Sequence, residues 1–207
     1  MSAALAVIAK APVPGRVKTR LCPPCTPAEA AALAAAALRD TLDAVRATAA
    51  ARHVLVLDGS AGPWAAGIEV VPQRGAGLAA RLAHAFADIG GPALVIGMDT
   101  PQVTPALLAD GLAALRRRPA VLGPADDGGY WAIGLRRPDA RVFAGIPMSR
   151  ATTGARQHAR LRALGLAVER LPSLRDVDDI HDALAVAALA PTGRFAAALA
   201  DLTAVAA

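Results

Sequence analysis

The chain has 207 residues, enough for one well-cored domain, and carries a net charge of +5 from 22 Lys and Arg against 17 Asp and Glu. Apolar residues make up 55% of it and aromatic ones 3%, so the core is expected to consist of Ala, Leu and Val, and no apolar run reaches the roughly 20 residues that span a bilayer. The arginines are mostly scattered and lack aromatic stacking platforms, which argues against nucleic acid and suits a small phosphorylated ligand.

The N-terminal segment is apolar, but no charged region precedes it and it is shorter than the roughly 15–30 residues of a secretion signal. Leu5–Ala9 therefore reads as a first strand and the protein as cytoplasmic. This strand runs into Lys10-Ala-Pro-Val-Pro-Gly-Arg-Val-Lys-Thr-Arg-Leu21, which holds Lys10, Arg16, Lys18 and Arg20 and no carboxylate. A buried strand that ends in a basic loop and leads to a helix is how α/β proteins hold phosphates. Pro12 and Pro14 stiffen the loop, and Gly15 permits a positive φ or a close backbone approach. A solvated basic turn is the alternative. Cys22-Pro-Pro-Cys25 follows this long loop instead of opening a helix directly after a strand, and two thiols do not complete a zinc site. The pair reads as two reduced thiols.

Thr26, Pro27 and Glu29 supply an N-cap, a first-turn proline and a capping-box acid for a helix over 27–50. Further strands are expected at His53–Leu57, Ile68–Val71, Ala93–Gly97, Ala120–Gly123, Trp131–Gly134 and Ala167–Leu171. Helices are expected at Leu78–Ile89, Pro105–Arg117, Thr152–Leu164, Ile180–Ala190 and near Arg194–Val205. This alternation argues for one α/β domain over residues 1–207, a mainly parallel sheet covered on both faces. The link from Gly123 to Tyr130 is too brief for a crossover helix, so the strand from Trp131 is expected to run antiparallel or out of order.

Ligands of such sheets bind outside the carboxyl ends of the strands, where four further clusters fall. Pro72-Gln73-Arg-Gly75-Ala-Gly77-Leu-Ala-Ala-Arg81, with a Gln, two glycines and a helix entry, suits recognition of a base edge or ribose, although glycine-rich strand-to-helix turns are common. Asp99, in Gly97-Met-Asp-Thr-Pro101, stands where a carboxylate holds a divalent metal that bridges two phosphates, or where it caps its own loop as an Asx-turn. Asp126-Asp127-Gly128-Gly129-Tyr130 forms a tight turn with room for a ligand, and its second acid exceeds the needs of a turn. Asp126 and Asp127 are candidates for gripping a sugar or acceptor hydroxyl, or for a base whose pKa burial or the other carboxylate would raise. Alternation places Asp176 and Asp178 on one side of an extended segment and Val177 on the other. Asp178 could complete a metal site with Asp99, while Asp179 or Asp178 could cap the helix at Ile180.

In this order, the segments Ala9–Leu21, Gly97–Pro101, Gly123–Tyr130 and Asp176-Val-Asp178 resemble the DUF2064 group of GT-A-fold proteins. That group is similar to glycosyltransferases linked to arsenosugar biosynthesis, and related to the guanylyltransferases that activate phospholactate or phosphoenolpyruvate for coenzyme F420. The resemblance implies a three-layer α/β/α sandwich that binds a nucleotide diphosphate with Mg²⁺ or Mn²⁺. By position, Lys10, Gly15, Lys18, Thr19 and Arg20 would surround the phosphates, with Gln73 and Gly75 near the base. Asp99 and Asp178 would hold the metal. Asp127 and Tyr130 would face the transferred group or acceptor, Asp126, Gly128, Gly129 and Tyr130 would help bind the nucleotide ligand, and Lys18, Arg20 and Asp127 would act in catalysis. Asp179 stands where the pattern has Thr, Met148-Ser149 where Trp-Ser is common, and Gln157 in place of a Thr. The expected activity is metal-dependent glycosyl transfer from a nucleotide-sugar to a small-molecule acceptor. Nucleotidyl transfer from a nucleoside triphosphate to a phosphorylated acceptor is the alternative, and a non-catalytic nucleotide-binding module the third.

Overall fold

The computed structural model describes residues 3–205. Seven strands, β1 (Ala4–Lys10), β2 (His53–Asp58), β3 (Glu69–Pro72), β4 (Ala93–Gly97), β5 (Ala120–Pro124), β6 (Tyr130–Leu135) and β7 (Val168–Arg170), form one sheet in the order β3-β2-β1-β4-β6-β5-β7. Only β6 runs against its neighbours, pairing antiparallel with β4 and β5, as the short link before it requires. From β1 the chain winds outward through β2 and β3, then returns to place β4 on the other side of β1. The carboxyl ends of β1 and β4 therefore flank a topological switch point, where open α/β sheets leave a crevice.

The helices are α1 (Pro27–Arg46), α2 (Gly77–Ile89), α3 (Pro105–Arg117), α4 (Thr153–Ala163), α5 (Ile180–Leu189) and α6 (Arg194–Val205). Alternation along β1 sends Leu5, Val7 and Ala9 to the face covered by α1 and α3, and Ala4 and Ala6 to the face covered by α2 and α4. The result is a three-layer α/β/α sandwich. A third apolar cluster joins α1, α5 and α6, and takes in Leu21 from the basic loop and Val177 from the acidic loop. Asp40 of α1 accepts the Arg194 and Phe195 backbone N–H groups, tying down the start of α6.

Thr26 and Glu29 form the expected capping box on α1. That helix stops at Arg46, short of residue 50, where the Thr48 hydroxyl donates back to Ala44 O at 2.7 Å and Thr48 O meets His53 Nε2 at 2.8 Å. These bonds turn the chain into β2. Both cysteines are free, packed beside the third cluster, and burial pushes the Cys25 thiol upward. No helix among the described residues is long and apolar enough to cross a membrane.

Candidate active site

A cleft of about 830 Å³ opens over the carboxyl ends of the strands. Its basic wall comes from the segment after β1. Lys10, at the strand end, and Arg16, in the loop, line the cleft, and among the described residues neither has a carboxylate within ion-pair distance. Lys18 takes a left-handed conformation (φ 49°) and opens a single 3-10 turn over Thr19–Leu21. Its side chain is only 7% exposed, pairing with Asp99 Oδ1 at 2.5 Å and donating to Val177 O. Arg20 is exposed and donates to Asp178 Oδ2 at 2.5 Å. Val177 N–H also donates to Asp99 O at 2.9 Å. The basic loop, the end of β4 and the acidic loop are thus laced together. Thr19 lines the cleft; Gly15, in a turn at φ 74°, does not.

The acidic wall comes from the β5–β6 turn and the segment after β7. Asp127, Asp176 and Asp178 each offer a carboxylate oxygen, all within 4.8 Å of one another. Burial pushes the Asp176 carboxyl up to about 6, helped by the charge of Asp127 and then of Asp178 and Asp99. Asp99 therefore faces the same ground while bonded to Lys18. Crowded carboxylate oxygens are hard ligands that suit Mg²⁺ or Mn²⁺, and their shared excess of negative charge is what a dication balances. The residues fit such an ion. Asp176 was visible by its alternation with Asp178, yet the sequence assignment paired Asp178 with Asp99 alone.

The remaining expected residues divide between the cleft and the scaffold. Asp126 points away from the cleft and accepts from the Ser173 hydroxyl at 2.6 Å. Asp127 accepts from Gly129 N–H at 2.6 Å, which fixes the turn. Gly128 has φ 87°, and a Cβ there would stand 2.0 Å from Ala151 O, so this position needs glycine for packing against the segment leading into α4. Gly129 and Tyr130 line the cleft; the Tyr130 hydroxyl sits 3.4 Å from Gln157 Oε1 and 3.7 Å from Met148 Sδ, and burial raises its pKa. Gln157, fully buried, donates to Val142 O, so it supports this wall instead of facing the ligand. Asp179 caps α5, accepting from His181 and Asp182 N–H groups.

Gln73 lines the cleft, but its amide nitrogen donates to Ala9 O at 2.7 Å and Val56 O at 3.0 Å, leaving no donor for a base. Gly75 lies outside the cleft, against Ala80 and His84. Two lining cations have no role assigned from sequence, although Arg81 closes the Pro72–Arg81 segment. Arg81 occupies helical spacing behind Leu78, a signal that was present, whereas Arg150, just before α4, stands in a loop with no pattern to mark it.

The sandwich is shared with solved structures. A protein from Desulfovibrio desulfuricans G20, provisionally named a nucleotide-diphospho-sugar transferase, is 27% identical with a TM-score of 0.87, covering 99% of this chain and 96% of its own. The manganese complex of Rv0371c from Mycobacterium tuberculosis H37Rv is 22% identical with a TM-score of 0.55, over 89% of this chain and 97% of that one. The 2-C-methyl-D-erythritol 4-phosphate cytidylyltransferase of Thermus thermophilus is 18% identical with a TM-score of 0.58, over 93% and 100%. The two more distant likenesses speak for the fold alone. No curated protein matches the sequence. Residues 30–150, more than half of the chain, match the family described as an uncharacterized protein conserved in bacteria, DUF2064, and the chain belongs to that family.

Proposed function

We propose that this chain is a divalent-metal-dependent transferase that uses a nucleotide-diphosphate sugar and passes the sugar to a small-molecule acceptor. The observation that carries the reading is the convergence of Asp127, Asp176 and Asp178 within 4.8 Å at one wall of a cleft whose other wall is basic. The 27% identical protein named for nucleotide-diphospho-sugar transfer, matched over nearly its whole length, supports it.

Asp127, Asp176 and Asp178 would hold Mg²⁺ or Mn²⁺, with Asp99 beside them. Such an ion acts as a Lewis acid on phosphate oxygens, stabilising the charge that develops on a leaving diphosphate. Lys10 and Arg16, which have no carboxylate within ion-pair distance among the described residues, would bind the phosphates directly. Lys18 and Arg20 carry their charge on Asp99 and Asp178, which keeps both cations at the wall where the diphosphate departs. Tyr130 and Gly129 would border the transferred group.

Arg150 favours a second reading. It lines the cleft beside the Asp127 turn without a carboxylate within ion-pair distance among the described residues, and would suit a phosphorylated acceptor in nucleotidyl transfer. One assay separates the two. The protein is incubated with nucleotide-sugars, or with nucleoside triphosphates and phosphorylated acceptors, in Mg²⁺, Mn²⁺ or EDTA. The expected result is metal-dependent release of a nucleoside diphosphate from a nucleotide-sugar. Pyrophosphate release from a triphosphate would replace the first reading with the second, and turnover unaffected by EDTA would overturn the metal in both.

A further inference from the structure

The wall of the cleft over β2 and β3 carries a positioned arginine that the phosphate-binding loop does not explain. Arg81 projects from the first turns of α2, three residues after Leu78, so the two share a helix face. Both line the cleft together with Gly77, which contributes no side chain. Leu78 is 41% exposed there, an apolar surface in an otherwise charged cleft. Arg81 Nη1 donates to Asp58 Oδ2 at 2.6 Å and to Gln73 Oε1 at 3.1 Å, which uses both of its hydrogens. Gln73 is itself pinned to the backbone of β1 and β2 through Ala9 O and Val56 O. The Nε–H and Nη2–H groups, the parallel-donor edge of the guanidinium, meet no acceptor among the described residues.

We infer that Arg81 selects the nucleobase, offering two parallel donors to a base that carries two adjacent acceptors on one edge, with the ring lying on Leu78. This rests on the reading of the ligand as a nucleoside diphosphate derivative. Guanine has such an edge in O6 and N7, and cytosine in O2 and N3. Adenine sets its amino donor beside N1 and N7 and leaves N3 a lone acceptor, and uracil places an N–H between its two carbonyls. The amide that would read adenine's mixed edge is the kind Gln73 carries, and its donors are spent on backbone carbonyls.

Charge separates Arg81 from the phosphate-binding cations. Asp58 compensates it, and the Arg81 hydrogen bond holds the Asp58 carboxyl below the usual range, with help from Arg16 and Lys10. A guanidinium paired directly with a carboxylate suits a neutral ring; Lys10 and Arg16, which feel Asp58 only at longer range, suit phosphate. Position agrees. Strands lie about 4.8 Å apart, so the end of β3 is about 14 Å along the sheet edge from the end of β4. Phosphates held between Lys10 and the acidic wall would place the base of an extended nucleotide on the β2–β3 side.

The test is calorimetric binding of GDP, CDP, ADP and UDP, with Mg²⁺, to the full chain and to Arg81→Met and Arg81→Lys. GDP or CDP is expected to bind at least about tenfold tighter than ADP and UDP, and the arms show which. In Arg81→Met that ratio should fall to within about twofold, with the preferred nucleotide losing affinity. Arg81→Lys keeps the charge but not the fork, so the ratio should fall there too. Matching thermal melts show that the variants fold, and general damage would weaken all four nucleotides without changing their ratio. ADP or UDP binding as tightly as GDP and CDP overturns the inference, as does a preference that survives Arg81→Met. Absence of binding by all four overturns the nucleotide reading beneath it.

Discussion

At the scale of single residues, the acidic wall is a place where the fold accepts a cost. A carboxyl pushed up to about 6 keeps a proton in the native state that the unfolded chain releases near pH 4. Between those values the native protein binds more protons than the unfolded one, so the stability contributed by Asp176 falls as pH rises, and the full penalty is present above about pH 6. Asp176→Asn removes that penalty. At about pH 7.5, without metal, the variant is expected to be more stable by about 1 kcal/mol, the roughly 2.7 kcal/mol of a two-unit shift being discounted for partial exposure. Near pH 4 the two proteins should unfold alike. Metal affinity should drop at least about tenfold, the scale on which even outer-shell partners act. Urea melts at both pH values and Mn²⁺ titration check this; a variant less stable at pH 7.5 would show that the Asp176 carboxylate carries no net penalty, and unchanged Mn²⁺ binding would remove Asp176 from the proposed metal site.

At the scale of elements, the β5–β6 turn holds its shape through close packing on the segment before α4. Gly128→Ala combines a left-handed backbone with a methyl group driven toward the Ala151 carbonyl, and neither can yield cheaply. A loss of about 3 kcal/mol is expected in denaturant melts, together with weaker metal binding through displacement of Asp127. Gly15→Ala has a similar φ but open space around the new methyl, so only the conformational cost of about 1 kcal/mol should appear. Equal losses at the two positions would mean that the turn does not rest on this contact. Elements of this kind were largely readable in advance. β4 and α3 occupy their expected ranges, because Gly97 and Thr104-Pro105 punctuate them, and β6 is antiparallel because its link is short. The side-chain partners were not readable. Nothing local says that Lys18 will meet Asp99, that Gln73 will turn its amide into the β-sheet backbone, or that Asp126 will face Ser173 while Asp127 faces the cleft. Periodicity places residues at strand ends; which loops then cross depends on packing far along the chain.

At the scale of the whole molecule, the two loops that make the cleft share an anchor remote from it. Leu21, one residue past Arg20, and Val177, between Asp176 and Asp178, are fully buried in the cluster formed by α1, α5 and α6, and Phe195 and Leu199 of α6 complete that cluster. The basic and acidic walls are therefore set by the same apolar contact, and loosening it should disturb both. Phe195→Ala is expected to cost about 3–4 kcal/mol, as truncation of a buried phenylalanine does. Leu115→Ala, in the last turn of α3 at the opposite end of the sheet, should cost a comparable amount, about 3 kcal/mol, while leaving the third cluster intact. The two should differ at the cleft. Measured with Mg²⁺ below the onset of either melt, the affinity of the best-binding nucleoside diphosphate should fall about three- to thirtyfold in Phe195→Ala, the scale of coupling through packed side chains, and stay within about twofold in Leu115→Ala. Equal losses in both variants would trace the effect to global stability, and no loss in either would show that the two walls hold their places without α6.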